Sequence, residues 1–455
     1  MNPPDTAQDG FSNPPLGLLY LAGTLLAHGF EVKVVDGCLD GSAGIRAVLE
    51  AFRPDIVGIT CLTPGRKKAL EAARMAKEID PSVHTIMGGA HPTIMYRQLL
   101  EHYPFVDTVV RGEGERTLLE IAEGRDLASI DGIAYRSDSE IILNPPRKHI
   151  ADLDEIPFPA WHLADLSRYQ ARGEGTFNGI DLSRETRVSV IFSRGCVGHC
   201  DFCSTWWIWR GWRHRSPKNM ADELELLHTR YGIRHFCFAD DALTIDRQAT
   251  IELCEEIIRR SLKIAFFATT RTDCVDEEML LKLKQAGCYE ISFGIETGSP
   301  TLLARMNKEN DVRNSECAIA LSKKAGLKVT ALLIVGNIGE TEETVHQTVA
   351  FLRRTRPHTI GCVGGLWILP GTRVYRESRK LGFIDDDFWL GDEPYKIYTL
   401  EHTYEDLERY RAVILGYHID AWQKTKETAR RIGRFLKNPA RTLRRRLGCV
   451  RTAHQ

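Results

Sequence analysis

Ser193-Arg194-Gly195-Cys196-Val197-Gly198-His199-Cys200-Asp201-Phe202-Cys203 follows directly on a strand-like segment and spaces three cysteines four and three positions apart, with no fourth beside them. An iron–sulfur cubane normally takes four thiolates, one per iron, so three leave one iron open to another ligand. Zinc is the rival, but a structural zinc site closes with four ligands. His199 adjoins Cys200 and is poorly placed to share one tetrahedron with it. The remaining alternative is three core cysteines by chance. Arg194-Gly195 ahead of the run and Asp201 within it make the loop hydrophilic, which argues against that.

Working outward, strand patterns at 187–192, 235–238, 264–269, 290–295, 328–335 and 361–368 alternate with helical patterns at 217–231, 247–260, 277–286, 299–306 with 315–325, and 342–355. Six strand–helix repeats suit a partial barrel, which binds ligands at the carboxyl ends of its strands. The chemistry-bearing residues fall at such ends.

Ahead of the barrel, residues 16–120 also alternate. Helical patterns cover 16–28, 44–52, 66–79 and 93–103; strands are expected at 31–36, 55–60, 83–87 and, as the last, 106–111. This is a parallel, doubly wound sheet. A strand should precede the helix at Leu16, and residues 1–10 cannot supply it. Asn2-Pro3-Pro4 looks like the turn after such a strand, so either the true start lies upstream or the sheet has lost a strand. Residues 145–185, with Asp152, Asp154 and Ile156-Pro157-Phe158-Pro159, read as an extended linker. The expected organisation is α/β throughout: a Rossmann-like domain over 1–125, a linker over 126–182, a partial (β/α)6 barrel over 183–385, and a short helical C-terminal extension over 386–455.

The cysteine loop is similar to the signature of the radical SAM superfamily. In that family the open iron chelates the amino and carboxylate groups of S-adenosylmethionine, and one electron yields methionine and a 5′-deoxyadenosyl radical. The resemblance implies cluster ligation by Cys196, Cys200 and Cys203, and places Phe202 beside the adenine. It extends along the barrel. Asp240 in Phe238-Ala239-Asp240-Asp241 is the expected partner of the ammonium, where a carboxylate gives a charge-assisted hydrogen bond. Arg271 in Thr269-Thr270-Arg271-Thr272-Asp273 would pair with the methionine carboxylate, and Glu296 in Phe293-Gly294-Ile295-Glu296-Thr297 would bind ribose hydroxyls. Val335-Gly336-Asn337-Ile338-Gly339-Glu340-Thr341 resembles the family's glycine-rich fifth turn, with Gly336 in the cosubstrate site and Ile338 where the family usually has Pro.

The front domain resembles cobalamin-binding Rossmann domains. Thr60-Cys61-Leu62 and Gly88-Gly89, about 25 residues apart, match their Ser/Thr-x-Leu and Gly-Gly positions, because a hydroxyl and paired glycines accommodate the buried nucleotide tail. Pro14-Pro15-Leu16-Gly17-Leu18, Gly88-Gly89-Ala90-His91-Pro92-Thr93 and Arg111-Gly112-Glu113-Gly114-Glu115-Arg116-Thr117 look like the front half of cobalamin-dependent radical SAM proteins. The resemblance covers roughly residues 13–380. It implies cobalamin contacts at Thr60, Leu62, Thr63, Gly88, Gly89 and His91. The family's cobalt-ligating Asp-x-His-x-x-Gly is missing from the turn before Leu16; Asp36-Gly37-Cys38-Leu39-Asp40-Gly41 mimics its spacing after the wrong strand.

The other nine of the twelve cysteines are scattered, which fits a reducing compartment rather than a disulfide framework. The first residues lack the blocks of a signal peptide, and no apolar run reaches the about 20 residues of a membrane span, so a cytoplasmic location is expected. Residues 424–451 hold eleven Lys or Arg and one Glu, leaving −11 on the remainder of a chain whose net charge is −1. With Ile432, Phe435, Leu436, Leu443 and Leu447 interspersed, that tail suits either a solvated segment or peripheral contact with an anionic membrane. Trp206, Trp207, Trp209 and Trp212, interleaved with Arg210, Arg213 and Arg215, suit a cavity lining or a packed lid. The acidic body argues against nucleic acid.

The expected cofactors are therefore a 4Fe–4S cluster, S-adenosylmethionine and cobalamin. The expected function is radical C-methylation of a small-molecule or lipid substrate, with flavodoxin or ferredoxin as electron donor. A cobalamin-dependent radical cyclase or ring-rearranging oxidoreductase is the second reading. A non-catalytic cofactor sensor is a third, disfavoured by Asp240, Arg271 and Glu296.

Overall fold

The computed structural model describes residues 1–4, 13–138, 140–169 and 173–416. The front domain runs α1 (Leu16–Ala27), α2 (Gly37–Phe52), β1 (Ile56–Thr60), α3 (Arg66–Ile79), β2 (His84–Gly88), α4 (Ala90–His102), β3 (Thr108–Val110), α5 (Glu115–Ala122), β4 (Ile133–Ser137) and β5 (Glu140–Leu143). These strands form one sheet in the order β1-β2-β3-β4-β5. The first three are parallel, and β3-β4-β5 are antiparallel. The strand expected to be last is therefore followed by two more. The domain limit expected at residue 125 falls inside the sheet, because Ile133-Ala134-Tyr135 buries a face against β3. Helix α4 starts at Ala90, three residues earlier than expected.

Among the described residues, the segment expected as a strand over 31–36 makes one β-bridge, between Asp36 and Asn2. The Asn2 N–H donates to Val35 O and Gly37 N–H to Asn2 O. On the other side the Met1 ammonium donates to Gly58 O at 2.6 Å, and Thr60 N–H to Met1 O. Met1 and Asn2 thus lie between residues 35–37 and β1. Beside them, among the described residues, is a cavity of about 570 Å³ lined by Leu21, Leu25, Val34, Val57 and Leu118. Among the described residues, positions 31–34 join no strand, and Val35 takes part only through its carbonyl bond to Asn2 N–H.

The barrel begins at β6 (Arg187–Val190) and continues α6 (Pro217–Tyr231), β7 (His235–Phe238), α7 (Arg247–Arg259), β8 (Ala265–Thr270), α8 (Glu277–Ala286), β9 (Cys288–Glu296), α9 (Val312–Lys324), β10 (Lys328–Val335), α10 (Glu342–Thr355) and β11 (Thr359–Gly364). Its six strands are parallel neighbours in sequence order, as a partial barrel requires. Local sequence sets the helix limits. At α6, Ser216 caps the Asn219 N–H, Pro217 opens the first turn, and left-handed Gly232 closes the last. Phe236, Phe238, Phe266 and Phe293 are buried in one core with Leu224, Leu253, Leu283 and Leu352 of the surrounding helices.

The linker is tied down along its length. Ala160 N–H donates to Leu19 O, and a Cβ on Gly23 would lie 2.4 Å from Phe158 O, so α1 needs glycine there. Buried Trp161 donates its indole N–H to Glu223 of α6. At the far end, the Arg66 guanidinium is fully buried and donates to the carbonyls of Thr63, Trp389, Gly391, Glu393 and Pro394. This clasps the segment after the barrel onto the front domain. Among the described residues no helix is long and apolar enough to cross a membrane, and the basic tail at 424–451 lies outside them.

Candidate active site

The three cysteines sit on the loop after β6, and the chain around them leaves the loop little freedom. Asp240, at the end of β7, accepts hydrogen bonds from Phe192 N–H, Ser193 N–H and Ser193 Oγ. Ser193–Gly195 then pairs antiparallel with Trp212–His214. Gly195 has φ +91°, and a Cβ there would lie 2.0 Å from Gly211 O. Asp201 N–H donates to Met306 O, and the Asn307 amide to His199 O, fixing the far side.

Cys196, Cys200 and Cys203 are half-buried, and burial pushes the Cys200 thiol up to about 11. Burial raises the Cys203 thiol as well, so these two ionise on meeting a metal rather than before it. Among the described residues no three His, Cys, Asp or Glu side chains converge on a single ion. Three thiols on one loop suit a cubane, where each thiolate takes its own iron. His199 turns away, 3.9 Å from the Trp206 ring centroid and 3.7 Å from a Glu309 oxygen. The donor set therefore fits a cluster with an open iron.

Around this loop stand the side chains expected to hold the cosubstrate. Arg271 forks onto Asp273 through Nε and Nη2, at 2.9 and 2.7 Å. Its Nη1 lies where a Cβ on Gly198 would come within 2.4 Å, so glycine lets the guanidinium press against the cysteine loop. Glu296, at φ +65° beside a register shift in β9, accepts from Lys308 Nζ at 2.7 Å. Lys308 is buried and its charge acts on Cys200, yet sequence reasoning passed it over. The polar run Asn307-Lys308-Glu309-Asn310 was its one local signal. Asp240 has its carboxylate committed to the loop backbone; the adjacent Asp241 is exposed and accepts only from Thr205 Oγ1 among side chains, at 3.1 Å. At Gly336, φ is +83° and a Cβ would meet Leu407 at 2.5 Å. Glu340 accepts the Gly336 and Asn337 N–H groups, and burial pushes its carboxyl up to about 7. Phe202 lines a cavity of about 250 Å³ with Leu302, Met306, Asn337 and Ile338.

On the front domain, the pairing of Thr60 with Gly88 sets the two expected cobalamin motifs side by side at the carboxyl edge. Gly89 has φ +105°, and a Cβ would lie 2.8 Å from Cys61 O. Leu62 is 63% exposed, an apolar side chain offered to a ligand or solvent. His91 is buried, with Nδ1 3.2 Å from Thr63 Oγ1, while Nε2 is buried without a partner. An orphaned ring nitrogen beside glycines and an exposed leucine fits a site that receives a ligand. Asp36 caps α2 and accepts from Tyr169, so the spaced Asp-Gly-Cys-Leu-Asp-Gly run is occupied structurally.

Burial lowers the His91 imidazole to about 3, with the Arg66 charge acting the same way, and lowers buried His235 to about 4, with Arg187 adding to it. Both rings are then neutral when folded, whereas unfolded they titrate near about 6.5. The unfolded chain binds the extra protons, so stability is full above that value and is lost as pH falls below it. Each ring should cost roughly 1.4 kcal/mol between pH 7.5 and 5.5, most of it below pH 6.5. Thermal unfolding at pH 7.5 and 5.5 checks this: His91→Gln should lose about 1 kcal/mol less than wild type over that interval, and an equal loss would refute the buried neutral ring.

The two halves meet at these edges. Ile94 and Met95 of α4 share one apolar cluster with Phe202, Ile338, Leu366, Ile368 and Trp389. Trp389 also stands edge-on to His91, 6.2 Å between centroids. Buried Glu113, just after β3, accepts from Arg194 at 2.8 Å and from Arg213, His149 and Ile150 N–H; Glu115 accepts from Arg194 at 2.6 Å. Burial alone would raise the Glu113 carboxyl, but the His149 hydrogen bond with the Arg194 and Arg213 charges holds it at about 2. Three of the tryptophans pack on neighbouring side chains: Trp209 with Arg194, Trp206 with His199, and Trp207 under Arg376 at 4.3 Å.

Residues 5–122 match the B12 binding domain and residues 190–352 the radical SAM superfamily. The anaerobic magnesium-protoporphyrin IX monomethyl ester cyclase of Rubrivivax gelatinosus is 37% identical over 76% of this chain, which spans 62% of that protein. An uncharacterised methyltransferase of Pyrococcus horikoshii is 34% identical over 76% of this chain and 74% of its own length. The radical S-adenosylmethionine methyltransferase TsrM of Kitasatospora setae, solved with cobalamin and a 4Fe–4S cluster, shares the fold: TM-score 0.68 at 22% identity, over 81% of this chain and 72% of that one. With the matched halves in this order, and the cysteine loop and the glycine-paired edge built as described, the chain belongs to the radical SAM enzymes that carry a cobalamin-binding domain, with a 4Fe–4S cluster, S-adenosylmethionine and cobalamin as cofactors.

Proposed function

We propose that the protein methylates an unactivated carbon of a small-molecule or lipid substrate. The carrying observation is the shared apolar cluster of Ile94, Met95 and Phe202, which brings the front domain's carboxyl edge against the cysteine loop. A methyl donor on one side and a radical generator on the other can serve one carbon only if both face it within about 3–4 Å. In the loaded enzyme, S-adenosylmethionine would supply the substrate-activating radical and cobalamin the methyl group.

The chain's residues orient these groups. Cys196, Cys200 and Cys203 hold the cluster, and the cavity at Phe202 takes the adenine. Arg271, Lys308 and Glu296 present charge to the cosubstrate's carboxylate and ribose. Asp240 fixes the loop, leaving Asp241 as the carboxylate open to the ammonium. Gly336 keeps the fifth turn close. Thr60, Leu62, Thr63, Gly88, Gly89 and His91 line the cobalamin edge, with the Trp206–Trp209 helix excluding water. Exposed Val197 and Trp207 favour an apolar substrate surface. The electron comes from a flavodoxin or ferredoxin, and the setting is cytoplasmic.

A radical cyclisation is the second reading, favoured by the 37% identity to the Rubrivivax cyclase. Anaerobic turnover with cobalamin and S-adenosylmethionine bearing a trideuterated methyl group separates the two. Methylation puts the deuterated methyl into product and stops without cobalamin. An unlabelled, ring-closed product would overturn the proposal in favour of cyclisation.

A further inference from the structure

The Arg194 guanidinium does more than bury charge. It stands two residues before Cys196, on the strand that enters the cysteine loop, yet both its carboxylate partners, Glu113 and Glu115, belong to the front domain. Glu113 follows β3 at the carboxyl edge of the front sheet, and Glu115 opens α5. Arg213, paired with Arg194 across the hairpin, donates to both oxygens of Glu113 at 3.1 Å and to Ile150 O. The Arg194 side chain is only 8% exposed, and Glu113 and Glu115 are 3% and 7% exposed. Its guanidinium lies between Tyr20 of α1 and Trp209 of the aromatic loop, 5.5 and 5.7 Å from their rings.

One guanidinium and two carboxylates are thus desolvated, with Arg213 half-buried beside them, at a domain boundary that apolar contacts could have filled. Buried ion pairs seldom stabilise more than packed apolar groups, but they allow one register, because a shifted partner leaves a bare buried charge. The turn after Arg194 has no slack to absorb a shift, since Gly195 already packs against Gly211 O. A displacement of Glu113 therefore reaches Cys196 through one stiff residue.

We infer that Arg194 is a positioning residue, held by Glu113 and Glu115, through which the docking of the front domain sets the geometry of the cluster loop. Cobalamin seated on the front edge and S-adenosylmethionine seated on the cluster then influence one another without touching through protein at a common residue. The inference rests on the family and its cofactors and does not depend on which reaction follows.

The test compares wild type with Glu113→Gln, Arg194→Met and Arg194→Lys, each reconstituted anaerobically with iron and sulfide. Three quantities are read: iron per chain, the electron paramagnetic resonance spectrum of the reduced cluster with S-adenosylmethionine in the absence and presence of hydroxocobalamin, and KM for S-adenosylmethionine in deoxyadenosine formation. Wild type should show a spectrum that changes on adding cobalamin. Glu113→Gln and Arg194→Met should keep their iron, lose that change, and raise KM by about 10- to 100-fold, the effect expected of an ångström-scale misplacement. Arg194→Lys should recover part of both. If Arg194→Met fails to hold iron, Glu115→Gln, which removes a single bond, takes its place under the same criteria. A lowered melting temperature with KM and the cobalamin response unchanged would overturn the inference, as would a wild-type spectrum indifferent to cobalamin.

Discussion

Cys200→Ala should purify as a folded protein with the visible iron–sulfur absorption gone and deoxyadenosine formation abolished together. Cys200 is the middle ligand of the loop and contributes little to packing, being half-buried. Its loss removes a thiolate from a site that has only three, so no spare ligand on the loop can take over. His199 cannot substitute, because its ring is turned onto Trp206. The control is Cys254→Ala, a fully buried thiol on α7 remote from the loop, which should cost stability and keep the cluster. Iron content, absorption and deoxyadenosine yield decide the matter. A Cys200→Ala protein that still carries about four irons and cleaves S-adenosylmethionine would remove this ligand assignment.

Gly195→Ala is expected to be nearly as damaging through the backbone alone. At φ +91° an L side chain is strained, and the new Cβ would sit 2.0 Å from Gly211 O, a backbone atom that cannot swing aside. Strain and overpacking together should cost about 3 kcal/mol or more and displace Cys196. Gly211→Ala in the same turn has φ +128° but open space around it, so it should cost only about 1–2 kcal/mol and keep the cluster. Chemical denaturation and iron content of the two variants, measured side by side, check the contrast. Equal behaviour of the pair would show that the close approach to Gly211 O is unimportant.

Much of the barrel could be read from the chain because its punctuation is local. Ser216-Pro217 and Gly232, Asp276 and Gly287, and the Thr341–Thr344 capping box mark the ends of α6, α8 and α10 at the residues expected. His235–Phe238 and Lys328–Val335 likewise match, being apolar runs enclosed by such helices. What was missed depends on partners far away in sequence. Residues 31–36 carry a strand pattern but, among the described residues, bridge only to Asn2, and β4 and β5 join the sheet only by folding back on β3. In the site, the cysteines, Phe202, Arg271 and Glu296 stand on the loops and strand ends expected. Lys308 reaches the cluster loop from beyond a short helix, and the Glu113–Arg194 pair spans 81 residues. At Asp240-Asp241 the residue type was legible, but which carboxylate turns inward depended on the Ser193 backbone.

The Arg66 clasp has a consequence for how the protein is made. Four of its five carbonyl partners lie 323 to 328 residues further along the chain. On a ribosome adding roughly 5–20 residues per second, the front sheet, complete at Leu143, precedes the emergence of Pro394 by roughly 12–50 s. Throughout that interval neither the Arg66 guanidinium nor the His91 ring has its cover, since Trp389 is not yet synthesised. The nascent front domain is therefore without this cover until the segment carrying Trp389 and Pro394 is made. Assembly has an order written into it: the early half is made bare, and the late half covers it.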